Sequence, residues 1–182
     1  MNKKVISVFF YSLFIFIVSL FTYNDSCAQD CEADTCLIRI TSGGSVSFNI
    51  NSLNKYKEGV DYNQWTRIAI HFSDDVDPTK VWKLEFKSMT AQIEGDSGVD
   101  LDLSYISIFA EDGGGITDLS PYIEPEQELT SLYQPLIMGA PQGSFDDNII
   151  ILSYKCGKGI DKLLGEPPGY YVVDIELKLS VQ

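Results

Sequence analysis

The chain has one histidine, His71, among its 182 residues. That rules out a multi-histidine metal site and leaves little room for histidine-based catalysis. No Gly-x-Ser-x-Gly nucleophile elbow occurs. Cations are scarce too: 13 Lys and Arg stand against 26 Asp and Glu, a net charge of −13. Neutralising phosphates takes clustered cations, so nucleic acid and anionic membrane surfaces are excluded as partners. The sequence has no sustained helical period, repeat, low-complexity tract or interdomain linker. Nothing in it implies a cofactor. Apolar surface is plentiful: at 45% hydrophobic and 21% charged residues, the chain can build a packed core and does not read as disordered.

The first segment has the layout of a secretory signal. Lys3 and Lys4 precede 17 uncharged, mostly apolar residues at 5–21, and Ser26-Cys27-Ala28 places small residues at a cleavage position. The expected domains are a signal peptide over 1–28 and one folded domain over 29–182. Two alternatives stay open: an uncleaved anchor, or acylation at Cys27. Cleavage after Ala28 removes Lys3, Lys4 and Asp25, leaving 11 basic and 25 acidic residues. Export places the domain in an oxidising compartment, at the periplasm or the cell surface, with no membrane insertion of the mature domain.

The dominant period of the remainder is two, the period of strands. Tyr171, Val173, Ile175, Leu177, Leu179 and Val181 alternate with Val172, Asp174, Glu176, Lys178 and Ser180. Similar alternation runs through Val46–Ile50, Thr66–Phe72 and Trp82–Phe86. It also runs through Leu101–Tyr105, where a phase slip predicts a β-bulge before Ile106 and Ile108. Residues 149–152 are apolar throughout, as in a central strand covered on both faces. The proline-containing stretch 116–143 reads as a long loop with one edge strand near 132–138, and no helix is predicted. About seven short strands between Gly- and Pro-rich turns predict an all-β, antiparallel, immunoglobulin-like sandwich.

Past the signal, the cysteines are Cys31, Cys36 and Cys156. In such a sandwich the start of the first strand lies near the end of the penultimate one, so Cys36–Cys156 is the preferred disulfide. In the chain-entropy model a loop that long would contribute about 4–5 kcal/mol. A local Cys31–Cys36 bridge is the rival, and unpaired cysteines are the third reading.

Other candidates are weaker. Asp96, Asp100 and Asp102 could supply carboxylates to Ca²⁺, against the plainer reading of solvated charge. Glu124, Glu126 and Glu128 have the residue type of a hydrolase pair and no supporting context. Trp65 falls on the face opposite Ile68 and Ile70, next to Arg67. A flat exposed aromatic beside a polar group is what a glycan platform needs, so Trp65 and Arg67 are the candidate ligand-binding residues.

Pro168-Gly169-Tyr170, followed by the alternating run to Gln182, resembles the end of chaperone–usher pilus subunits and of spore-coat U-like secreted domains. Gly169 is fourteenth from the end, where those pilins carry glycine. Val181 stands where the pilin pattern has an aromatic, and Cys36 lacks the second-strand partner that many pilins have. The resemblance implies a non-enzymatic structural or adhesive role, with other subunits joining by strand addition. A surface glycan is the other partner considered.

Overall fold

The structure, a computed structural model, describes residues 33–157 and 163–182. The expected signal segment lies outside them. Eleven strands run in chain order: β1 (Thr35–Ser42), β2 (Ser47–Ile50), β3 (Val60–Ser73), β4 (Trp82–Ser88), β5 (Glu94–Gly95), β6 (Ile106–Asp112), β7 (Gln127–Glu128), β8 (Gln134–Ala140), β9 (Gly143–Cys156), β10 (Gly169–Val172) and β11 (Ile175–Val181). One layer is a sheet of order β1-β3-β9-β6-β7. The other contains β2-β10-β5 and β11-β4-β8, and all pairings are antiparallel. The two three-stranded pieces follow on from each other. β10 leads into β11 and β4 into β5, and the Met89 amide donates to the Asp174 carbonyl across the junction at 2.9 Å. The fold is thus an all-β antiparallel sandwich. No helix among the described residues is long and apolar enough to cross a membrane.

Period-two alternation builds the core. Ile68, Ile70 and Phe72 of β3 and Ile150 and Leu152 of β9 face Trp82, Leu84 and Phe86 of β4, Tyr171 of β10 and Leu179 of β11 in one buried cluster. Burying side chains of this size stabilises by about 1.5–3 kcal/mol each, before the entropy of ordering them.

Four features depart from the sequence reading. Leu103–Tyr105 is a 3₁₀ turn capped by Asp102, not a bulged strand; Leu101 makes only an isolated bridge to Ile93. Leu53–Glu58 is a short α-helix, α1, with Ser52 capping its start and Gly59 its end. The terminal alternating run is two strands, broken at Val173 and Asp174. On β9, Ile150 and Leu152 are buried, whereas Ile149 and Ile151 on the outward face are only half-buried.

Candidate functional site

Among the described residues, no strand pairs with one side of the β11 backbone. Antiparallel ladders send alternate residues' N–H and C=O groups to opposite sides of a strand. Met89 donates to the Asp174 carbonyl, and Gln182 donates to the Val81 carbonyl at 3.0 Å. Even-numbered residues of β11 therefore bond toward β4. The N–H and C=O groups of Ile175, Leu177, Leu179 and Val181 point the other way, where no strand pairs among the described residues. On the outward face of the sheet, Glu176 meets Lys87 at 2.9 Å and accepts from the Tyr133 hydroxyl at 2.9 Å, which fixes β11 to its neighbours. Lys87 and Tyr133 together hold the Glu176 carboxyl below its usual range.

Beside this edge lies a groove of about 290 Å³ between the layers. Ile40 at the end of β1 and Val46 form one wall; Val173, Ile175 and Leu177 form the other. β1 is itself the edge of its own layer, so the groove runs between two strand edges. Ile40 is exposed, and Ile175 and Leu177 are half-buried. The Tyr154 hydroxyl donates to Thr66 Oγ1 at 2.9 Å, and Thr66 donates to the Gly43 carbonyl at 2.6 Å, which ties the turn at Gly43 to the sheet. That turn needs glycine. Its φ is +67°, and a β-carbon there would sit 2.1 Å from the Trp65 carbonyl oxygen.

Trp65 follows a wide irregularity in β3. Tyr62 pairs with Tyr154 and Thr66 with Leu152, so three residues of β3 oppose Ser153 alone. Gln64, in that gap, has φ +52°, and its amide donates to Ser153 Oγ at 2.8 Å. The Trp65 indole N–H donates to the Ser45 carbonyl at 2.9 Å, and its ring lies 4.8 Å from that of Tyr62, tilted by 58°. The indole is 41% exposed, enough to leave area for a ligand. Arg67 is half-buried on the outward face, beyond the irregularity. The aromatic beside Trp65 is thus Tyr62, which lies before the irregularity and outside the alternating run Thr66–Phe72.

The proposed calcium ligands do not converge. Asp96 accepts from the Tyr170 amide at 3.1 Å, Asp100 from the Gly95 amide at 3.2 Å and Asp102 from the Ser104 amide at 2.8 Å. Each carboxylate holds a different piece of backbone, and no metal-holding group of three or more His, Cys, Asp or Glu occurs among the described residues. Capping lowers the Asp102 carboxyl, chiefly through Ser104. Of the Glu124, Glu126 and Glu128 series, Glu126 pairs with Lys155 and accepts from Ser107. His71 packs edge-on to Phe145 at 5.4 Å.

The Cys36–Cys156 disulfide is corrected. Cys156 is a free, buried thiol. Cys36 sits opposite Phe72 at one end of β3, and Cys156 opposite Val60 at the other. Strand rise puts the two about 30 Å apart, far beyond disulfide reach. The expected bridge needs the start of β1 near the end of the penultimate strand, but among the described strands β1 pairs only with β3. Of the two bridges weighed, Cys31–Cys36 remains, and Cys31 lies outside the described residues.

No protein-family model and no curated protein matches this chain.

Proposed function

We propose that the protein is an exported, non-enzymatic β-sandwich with a structural, surface or adhesive role, and that it joins other subunits by strand addition at β11. The observation that carries the reading is the open side of β11 next to an apolar groove. An extended segment placed there gains main-chain hydrogen bonds from Ile175, Leu177, Leu179 and Val181. Its alternate side chains fill the groove. The edge lacks the usual protection, since no lysine or proline occupies those four positions. The C-terminal resemblance to pilus subunits points the same way.

An inward-pointing charge at the edge tests this. Ile175→Lys changes a half-buried side chain at the rim of the core and should abolish subunit association in sedimentation, while the melting temperature falls by only a few degrees. Wild type and Ile175→Lys associating equally would contradict the reading.

A second reading is supported by the exposed Trp65 ring tilted against Tyr62. In it the protein is a glycan-binding module using Trp65 and Arg67. Such a module should give glycan-array signals that Trp65→Ala lowers at least tenfold, with Ile175→Lys having no effect.

A further inference from the structure

A second surface, the outward face of the other layer, combines features that a merely solvated sheet face does not need. The register places Leu37 beside His71, Arg39 beside Ala69, Ala69 beside Ile149, Arg67 beside Ile151 and Ile151 beside Glu111. These paired residues share the outward face of the sheet β1-β3-β9-β6-β7. Antiparallel sheets with one solvated face normally carry polar residues there. This one carries half-buried Leu37, Ile149 and Ile151 around Ala69.

Arginine is concentrated on this face, with Glu111 at its β6 side accepting from the Ser153 hydroxyl at 3.4 Å. The chain has twice as many acids as bases, yet both of its arginines, Arg39 and Arg67, lie here. The four ion pairs among the described residues all use lysines, and neither arginine takes part in one. Arg39 is ordered without a carboxylate: its guanidinium lies 4.1 Å above the Phe145 ring. A stacked guanidinium keeps its planar fork of N–H donors, the group suited to bidentate carboxylate recognition. Arg39 and Arg67 are diagonal neighbours across the β1–β3 pair, a spacing of about 7–8 Å between such positions.

We propose that this face is a docking surface for an acidic segment of a partner protein, with carboxylates meeting Arg39 and Arg67 and an apolar side chain covering Ile149 and Ile151. Charge complementarity selects the acidic partner. The apolar centre selects a protein segment over a plain polyanion, because a polyanion leaves Ile149 and Ile151 uncovered. Arginines flanking an apolar centre are the composition of interface cores. The inference does not rest on strand addition, which uses the β11 backbone and the inward-facing groove rather than this outward face.

The test is a titration of the methyl-labelled protein, followed by NMR. The probe is an alternating Glu-Leu octapeptide, compared with a Glu-Ser octapeptide and a heparin oligosaccharide. The expected result is that Glu-Leu shifts the Ile149 and Ile151 methyls and the Arg39 and Arg67 side-chain N–H signals. Glu-Ser and heparin should bind at least tenfold more weakly. Arg39→Glu with Arg67→Glu should weaken Glu-Leu binding at least tenfold, while Lys57→Glu on α1 changes it less than twofold. Mapping on the wild type stands even if the double variant does not fold. Shifts confined to Ile175, Leu177 and Leu179, or heparin binding as tightly as Glu-Leu, would overturn the proposal. So would self-association of the protein through these same methyls without peptide, because the face would then serve a second copy.

Discussion

Cys156 shows how far a single side chain depends on its place in the sheet. Its thiol is buried between β3 and β6, and burial pushes its pKa up from 9.0 to about 12. The folded state therefore holds this proton where the unfolded chain has begun to release it. Stability from this group is complete below pH 9 and is lost as pH rises from 9 toward 12. Burial also raises Tyr105, Tyr133, Tyr154 and Tyr171, which act in the same direction. The comparison that isolates the thiol is Cys156→Ala. Its stability should fall less steeply between pH 9 and 12 than that of wild type, as measured by urea unfolding. At pH 8 the native thiol should resist alkylation, and non-reducing peptide mapping should join Cys31 to Cys36. Rapid native alkylation of Cys156 would contradict the burial.

At the scale of elements, β11 divides into a buried part and an edge part. Leu179 is fully buried, opposite Leu84, whereas Leu177, opposite Phe86, is half-buried beside the groove. Leu179→Ala should cost about 2–5 kcal/mol. Leu177→Ala should cost less than half as much, because its side chain already meets water. Equal losses in chemical denaturation would show that the groove closes over Leu177.

Strands with strict alternation, β2, β4 and the 66–72 part of β3, were legible from sequence because each hides one face. Trp82 in the core was legible for the same reason; the edge strand near 132–138, which β8 overlaps, shows no such alternation, its burial running in pairs. The six-residue α1 escaped because it is too short to display a period; only Ser52 and Gly59 signalled it. The phase slip at Tyr105 was real, but a turn capped by Asp102 and a bulge look alike in sequence. Of the candidate site, the alternating wall of β11 could be read directly. The β1 wall could not, because it depends on which strand lies across the groove. Cysteine pairing failed for that reason: it is a matter of strand order, which local pattern does not encode.

For the whole molecule, two layers pack into one core and present two unlike surfaces. One is a strand edge offering main-chain groups beside a groove; the other is a sheet face offering arginines around isoleucines. The proposed strand addition concerns the first of these, the edge. Native-state hydrogen exchange tests it most directly, on the dilute monomer and on concentrated, associated protein. In the monomer, the amides of Ile175, Leu177, Leu179 and Val181 should exchange quickly. Those of Glu176, Lys178 and Ser180, bonded toward β4, should be protected. On association the four odd-numbered amides should slow at least tenfold, leaving protection along all of β11. If they are already as slow as Ile150 in the monomer, or stay fast in the associated protein, strand addition at β11 is wrong.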